Sequence, residues 1–401
     1  SGKRRIKMIY KKIKEKAAEF EDQIIALRHK IHKNPELSFE EYETSTLAAE
    51  EMKKLGFEVK ENIFGTGVCA LFRNSSNPEA KTLLIRADMD ALPVEEKNDL
   101  EFKSQNKGVM HACGHDGHTS ILIGTAYVLK ELADEFDGNI KFLFQPGEET
   151  SGGADGMIKE GVLEDPDVDA ALGLHLWGST PEGVVEYKSG PIMASPDRFD
   201  LKIIGRGGHA ARPHNTIDPV PIAAQIVSAL QNIVSRKIDP LDSAVISVGN
   251  IAGGSTHNVI PDEVILKATV RSLRKEVRDQ LAYHIEKTVA NITAMNDAKY
   301  DLNYIYGYPA VINDKNMTET LKEAAQKVLG EDRVKEREKA EMGGEDFSYF
   351  GLKVPSVFYF LGIAPEGEII NHHQSDFRFN DSVLKDGVAA MAQTAVDFLS
   401  K

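Results

Sequence analysis

The sequence predicts an α/β fold interrupted by an inserted α+β domain of ferredoxin-like order, and three observations carry that expectation. Short apolar runs alternate with amphipathic stretches up to about residue 190. From 191 to 309 the order becomes strand, helix, strand, strand, helix, strand. From about residue 310 to the end, helix and strand alternate again. A chain of 401 residues is too long for one ordinary core and too short for three, so two domains follow. Residues 1–190 and 310–401 form the discontinuous one, and 191–309 the insertion.

The elements justify this in order. Apolar residues fall at helical spacing from Phe20 to about Leu55, with a break at Asn34-Pro35, where proline cannot continue the preceding turn. Leu83, Leu84 and Ile85 make a buried strand that ends in Arg86-Ala-Asp-Met-Asp-Ala-Leu-Pro93. Thr119 to Phe136 reads as a helix with Ile121, Val128, Leu129 and Leu132 on one face. Ile140 to Phe144 and Ala170 to Leu176 are further strands. Together they indicate a substantially parallel sheet, with ligands expected at the strands' carboxyl ends. In the insertion, Arg198–Ile204, Ala244–Ile251, Val264–Leu273 and Asp301–Tyr308 read as strands, and Pro219–Ser235 and Lys275–Met295 as helices.

Composition excludes several classes. An apolar fraction of 41% and a charged fraction of 27% are those of a globular protein. A net charge of -14 argues against nucleic acid as a partner. The N-terminus departs from this balance: Lys3, Arg4, Arg5, Lys7, Lys11, Lys12, Lys14 and Lys16 face one acid, Glu15, with Ile6, Ile9, Tyr10 and Ile13 at helical spacing. That start reads as a solvated helix, with contact to a membrane surface as the alternative. It lacks the apolar segment of a signal peptide, and no run is long enough to span a bilayer, so a cytoplasmic protein without a membrane partner is expected. Two cysteines, Cys69 and Cys113, are too few for a disulfide framework. Cys69 lies in a strand-like run; Cys113 lies among histidines.

Chemistry concentrates in His111-Ala-Cys-Gly-His-Asp-Gly-His118. A two-metal hydrolytic site needs four to six side chains that ligate and one free carboxylate to handle the proton of the attacking water. Cys113 and His115 can converge through a tight turn at Gly114. Glu148 and Glu149 follow Pro146-Gly147, where neighbouring side chains splay, so that one ligates and the other faces water. His175 ends a strand, and His372-His373 comes late in the chain. Each alone has an ordinary explanation: a core histidine, a solvated acidic turn, an inert buried thiol. Their recurrence at one rim of a sheet favours a metal site.

These residues belong to a longer series: His32-Lys-Asn-Pro-Glu-Leu37, Asp88-Met-Asp-Ala-Leu-Pro93, His111 to His118, Gln145-Pro-Gly-Glu-Glu149, Gly207-Gly-His-Ala-Ala-Arg-Pro213, Asn258-Val-Ile-Pro-Asp262 and Gly343-Gly-Glu-Asp-Phe347. In this combination the chain resembles the M20 metallopeptidase family, in its amidohydrolase branch of hippurate hydrolases, N-acyl-amino-acid amidohydrolases and plant auxin-conjugate hydrolases. The resemblance implies a metallopeptidase-like α/β catalytic domain with an inserted domain serving as lid and dimerisation element. It implies two divalent metal ions per subunit, held by Cys113, His115, Glu149, His175 and His373, with Glu148 as general base. Asp88 stands where the wider family has histidine, and Cys113 where it has a bridging aspartate. After the late histidines this chain has Gln374-Ser375 instead of Asn-Pro or His-Pro. Aligning Phe379-Asn-Asp381 places the ligand at His373, with His372 the alternative. His209 would cross a dimer interface to stabilise the oxyanion.

Other roles follow from chemistry. Asp90 and Asp116 are placed to hold histidine tautomers, with the capping of a helix or turn open for either and an equal reading for Asp116. Asn258 and Arg271 can take the substrate carboxylate, Arg271 through its planar fork, although a strand-surface ion pair is an equal reading. Gly205-Arg-Gly-Gly lacks the spacing of a nucleotide loop. Thiolate, imidazole and carboxylate together suit zinc, with cobalt, nickel or manganese compatible. The expected reaction is hydrolysis of the amide of a small N-acyl amino acid: Glu148 accepts a proton from a metal-activated water and returns it to the leaving amine. A carboxypeptidase or dipeptidase acting on short peptides is the rival within the class. A non-catalytic metal-binding or peptide-binding protein is the rival outside it, and the unligated carboxylate of Glu148 speaks against that.

Overall fold

The structure is a computed structural model describing residues 2–400, with side chains described from Ile9 onward. The chain divides into two compact units: Ser1–Gly190 with Ile312–Lys339 and Asp346–Lys401, and Pro191–Val311 with Ala340–Glu345.

The first unit is built on an eight-stranded sheet in the order Glu58–Ile63, Gly67–Arg73, Asn139–Gln145, Thr82–Asp88, Ala170–Pro181, Ser356–Ala364, Val185–Tyr187, Val334–Glu336. Its centre is parallel: Thr82–Asp88 runs parallel to both neighbours, and Ala170–Pro181 runs parallel to Ser356–Ala364. Every residue of Thr82–Asp88 and Asn139–Gln145 is buried. Such strands read as continuous apolar runs because both faces are covered. The helix His115–Glu131 is buried from His115 through Leu129 and lies in the same core as Val383–Leu399.

Three details differ from the sequence expectations. The central helix begins at His115 instead of Thr119, because Gly114 adopts the left-handed conformation (φ 91°) and turns the chain directly into it. His175 lies within a strand that continues to Pro181 instead of ending it, because Ser356–Ala364 goes on pairing alongside. The N-terminal helix Gly2–Glu19 is not solvated all round: Ile9, Ile13 and Ala17 are buried in the first unit's core. The side chains of Lys3, Arg4, Arg5, Ile6 and Lys7 lie outside the described residues. Among the described residues no helix is long and apolar enough to cross a membrane.

The second unit has a four-stranded antiparallel sheet in the order Ala244–Ala252, Glu263–Ser272, Ser195–Ile204, Lys299–Ile305, with helices Pro219–Lys237 and Lys275–Met295. That strand order is the ferredoxin-like arrangement. Alternating Phe199, Leu201 and Ile203 share a core with Ile222, Ile226, Leu230, Leu281 and Ile285. Asp218 starts the first helix by accepting a hydrogen bond from Val220 N (3.0 Å). A small ribbon, Gly208–His209 against Val259–Ile260, is added to this plan.

Candidate metal centre

The turn Cys113-Gly114-His115 sets the first wall of the site. His115 Nδ1 donates to Asp90 Oδ1 (3.2 Å); since a carboxylate only accepts, the ring proton sits on Nδ1. In the neutral ring Nε2 then carries the lone pair, and this atom is buried without a hydrogen-bond partner. Asp90 is itself held by Ser38 Oγ (2.7 Å) and Glu149 N (2.9 Å), both donating to Oδ2.

The second wall is the turn after Gln145. Gly147 has φ 70°, and a Cβ there would meet Phe39 Cζ at 2.3 Å, so the position needs glycine. The turn presents Glu148, 9% exposed, and Glu149. Glu149 Oε1 is buried without a hydrogen bond, 3.7 Å from His115 Nε2 and 3.2 Å from His373 Nε2. His175 donates from Nδ1 to Leu176 O (2.7 Å), which directs Nε2 toward Cys113 Sγ at 3.5 Å.

The late histidines separate by their partners. His372 Nε2 accepts from Gly178 N (3.2 Å), so its Nδ1 proton faces Cys113 Sγ at 3.8 Å, and the ring lies beside Trp177 and Phe377. His373 has a positive φ of 63°, and its backbone N–H is tied to Ala112 O (2.8 Å). His118 spends both ring nitrogens, donating to Asp88 Oδ1 (2.6 Å) and accepting from Leu176 N (2.9 Å). That leaves it no lone pair for a metal, although it stands within reach of His115 and Asp88. His111 is buried, its ring nitrogens have no hydrogen-bond partner among the described residues, and burial pushes its pKa down to about 3.

Charge around these groups favours a cation. Burial alone would lower the His115 pKa, but Asp88, Asp90 and Glu149 outweigh it and raise it to about 10. Burial, then Glu149 and Glu148, push the Cys113 thiol well up. Compact sets of donor atoms arise from Cys113, His115 and His175; from Cys113, Glu149 and His373; and from His115, Glu148 and Glu149. His115 Nε2 and Glu149 Oε1, both buried without a hydrogen-bond partner, lie 3.7 Å apart inside these sets, as the donors of a metal site do when counted without an ion.

Behind the site lie groups whose roles the sequence does not disclose. Arg86 is fully buried and donates to Asp88 Oδ2 (2.8 Å), Gln145 Oε1 (2.8 Å) and Asp346 Oδ1 (2.8 Å). Asp346 sits in the quoted Gly343-to-Phe347 motif, the only signal that could have marked it. Asp116 does not hold a histidine of the cluster, and it does not cap the helix, where no side-chain cap is made. Its Oδ2 accepts from Arg28 Nε (3.1 Å) and His32 Nδ1 (2.9 Å). The reason is position: as the second residue of the helix it points away from Cys113 into a buried pair. Arg28 also donates to Phe379 O (3.2 Å) and pairs with Asp381, so it joins the start of the central helix to the chain beyond His373.

His32 gives a testable pH dependence. Burial lowers its pKa, but hydrogen bonds to Asp116 and Glu96 prevail over that and over the nearby Arg28, raising it to about 9. A histidine raised from 6.5 contributes its stability in full below pH 6.5 and loses it as pH climbs through about 9, on the order of 3 kcal/mol in all. The melting temperature should therefore fall between pH 7 and 9.5, and His32→Gln should flatten that fall. An unchanged slope in the variant would refute the assignment.

The remaining candidates lie in the second unit. His209 is exposed on the small ribbon, and its Nδ1 accepts from Ala211 N (3.1 Å), leaving Nε2–H as an outward donor. Asn258 is exposed and accepts at its carbonyl from Ala210 N (3.1 Å). Arg271 is neither open nor ion-paired at the surface. Its Nε donates to Met342 O (3.1 Å), and Nη1 donates to Asp197 O (3.2 Å), Val270 O (3.0 Å) and Thr269 Oγ1. Each planar fork a carboxylate would use thus has a member already committed.

Residues 84–397 match the family model described as peptidase family M20/M25/M40. The chain belongs to this family. Within it the chain falls in the amidohydrolase branch and is a hydrolase. It is 42% identical over 398 residues to thermostable carboxypeptidase 2 of Saccharolobus solfataricus, covering 98% of this chain and 100% of the relative. It is 44% identical over 307 residues to N-acyl-L-amino acid amidohydrolase of Geobacillus stearothermophilus, covering 76% of this chain and 82% of the relative. Among solved structures it resembles the Bacillus subtilis YXEP protein, described as a dinuclear metal binding peptidase from the M20 family, with a TM-score of 0.83, 33% identity, and coverage of 95% and 99%. Both M20 activities in these names, carboxypeptidase and acyl-amino-acid amidohydrolase, cleave the same kind of bond.

Proposed function

We propose that this M20 hydrolase cleaves the amide bond of N-acyl amino acids, releasing a carboxylic acid and a free amino acid. The observation that carries the reading is the pair of buried polar atoms without hydrogen bonds, His115 Nε2 and Glu149 Oε1, with Cys113, His175 and His373 around them and Glu148 beside them in the chain. Those five side chains would hold two divalent ions. Cys113 belongs to the set with His115 and His175 and to the set with Glu149 and His373, so its thiolate would be available to the bound metal from either set. Zinc suits this mixture of donors, with cobalt, nickel and manganese compatible. When bound, such ions bring the pKa of a water toward neutrality and polarise the amide carbonyl.

The chain's own residues do the rest. Glu148 takes the proton of the attacking water and delivers it to the amide nitrogen as the C–N bond breaks, so the amine does not leave as an anion. Asp90 keeps the His115 lone pair aimed at the cluster. His372 donates toward the Cys113 sulfur and tempers its charge. His209, with its proton on Nε2, serves as the oxyanion donor, supplied by the second subunit of a homodimer. Asn258 contributes to holding the substrate carboxylate, and the committed Arg271 is left out of that role.

Relatives named for acyl-amino-acid substrates support the amidohydrolase reading, and the carboxypeptidase relatives favour peptides as the second. Turnover of hippurate, an N-acetyl amino acid and an N-blocked dipeptide separates them. The highest kcat/KM is expected among the acyl amino acids, whereas a tenfold preference for the dipeptide would reverse the order. His209→Ala should lower kcat by about 10²–10³-fold, the usual cost of an oxyanion donor. A variant with parental kcat, or a fully active monomer by light scattering, would remove His209 and the dimer from the account.

A further inference from the structure

We propose that Asp346 and Glu41 are positioning residues that set where Glu148 stands, by fixing the main chain on either side of it. The inference rests on the reading of Glu148 as the general base.

The turn from Pro146 to Gly153 leaves the sheet after the strand Asn139–Gln145 and has no strand partner; within it Gly152 N donates to Gly147 O (2.9 Å). Four N–H groups in it and at the start of the helix that follows are directed at buried carboxylates from three distant parts of the chain. Gly147 N donates to Glu41 Oε1 (2.9 Å), Glu149 N to Asp90 Oδ2 (2.9 Å), and Gly153 N and Ala154 N to Asp346 Oδ2 (2.9 and 3.0 Å). Gln145 Nε2 donates to both oxygens of Asp346 (2.9 and 2.8 Å), so one carboxylate grips the turn at its entry and its exit. Glu41 and Asp346 are both fully buried.

Each buried carboxylate is held from behind. Arg86 donates to Asp346 Oδ1 and to Gln145 Oε1, and Thr66 Oγ1 donates to Glu41 Oε2. The hydrogen bonds that Asp346 accepts, beside the Arg86 guanidinium, are charge-assisted and stronger than neutral ones. They also specify position, because the two glycines with positive φ, Gly147 and Gly152, would otherwise leave the turn free to move. A base displaced by about 1 Å costs on the order of 10²-fold in rate. Asp90 belongs to the same arrangement, but it also holds His115 and so cannot isolate the effect.

The test uses the full-length protein loaded with cobalt(II) and compares Asp346→Asn, Glu41→Gln, Glu148→Gln and the doubles D346N/E148Q and E41Q/E148Q. Each single positioning variant should lower kcat by about 10–100-fold, as supporting partners of a metal site do. KM should stay within about twofold, with cobalt stoichiometry and the thiolate-to-cobalt absorption unchanged. Because Asp346 and Glu41 act through Glu148, adding either substitution to E148Q should cost less than about a further twofold. Losses that multiply in the doubles, a parental kcat in the singles, or loss of cobalt would overturn the inference. If D346N does not fold, E41Q and its double decide by the same criteria. A parental kcat in E148Q alone would instead refute the base assignment, a result separate from multiplying losses.

Discussion

Replacing Glu148 with glutamine is expected to lower kcat by about 10²–10⁴-fold while leaving metal bound and KM little changed. Glutamine keeps the size and the hydrogen-bonding reach of glutamate but cannot accept and return a proton. Glu148 adjoins a proposed ligand, Glu149, and is not itself among the five that would hold the ions. Uniform binding and transition-state stabilisation therefore separate at this residue: a change confined to kcat means that an interaction made only during the reaction has been removed. Metal content by elemental analysis and kcat on an N-acetyl amino acid together check it. A glutamine variant that has lost its metal would make Glu148 a ligand; one that turns over at the parental rate would end its role as base.

Cys113→Ser should have the second largest effect, on metal binding first and activity as a result. Sγ lies 3.5 Å from His175 Nε2 and belongs to two donor sets, so its loss would take a donor from each of them. Burial and the neighbouring Glu149 and Glu148 push the free thiol well up, so the protein alone does not stabilise a thiolate. A cation does, and a serine hydroxyl at neutral pH does not replace it. Affinity should fall by more than the roughly 10–100-fold typical of losing a supporting partner. Metal present at a hundredfold excess over Kd stabilises the parent by about 2.7 kcal/mol, and that increment in melting behaviour should disappear in the variant. Two equivalents bound with parental affinity would exclude Cys113 as a ligand. Oxidation of the thiol should mimic the substitution.

The fold was legible because its pattern is local. Continuous apolar strands around Leu83–Ile85 and Ile140–Phe144 announce a covered sheet, and the strand-helix order from Arg198 to Tyr308 announces the insertion. The residues that gather at the candidate site were legible because Cys113, His115, Glu148, Glu149, His175 and the late histidines are unusual at strand and helix boundaries. Their discrimination was not. His115 and His118 sit on the same helix start, and only hydrogen bonds to Asp90, Asp88 and Leu176 separate a free lone pair from a spent ring. Arg28 and Asp116, or Arg86 and Asp346, are joined across 88 and 260 positions, and such buried pairs leave no periodic mark. Arg271 differs for the opposite reason: its residue type suits a carboxylate, while Met342 O, Asp197 O and Val270 O in the fold already accept from its Nε and Nη1.

The measurement that bears most directly on the whole account is a metal titration of chelator-treated protein, with bound metal and release of amino acid from an N-acyl amino acid followed together. Two equivalents per chain should bind, and turnover should appear with them for zinc, cobalt, nickel or manganese. Full turnover by metal-free protein, or two bound equivalents with no hydrolysis of any N-acyl amino acid, would contradict it.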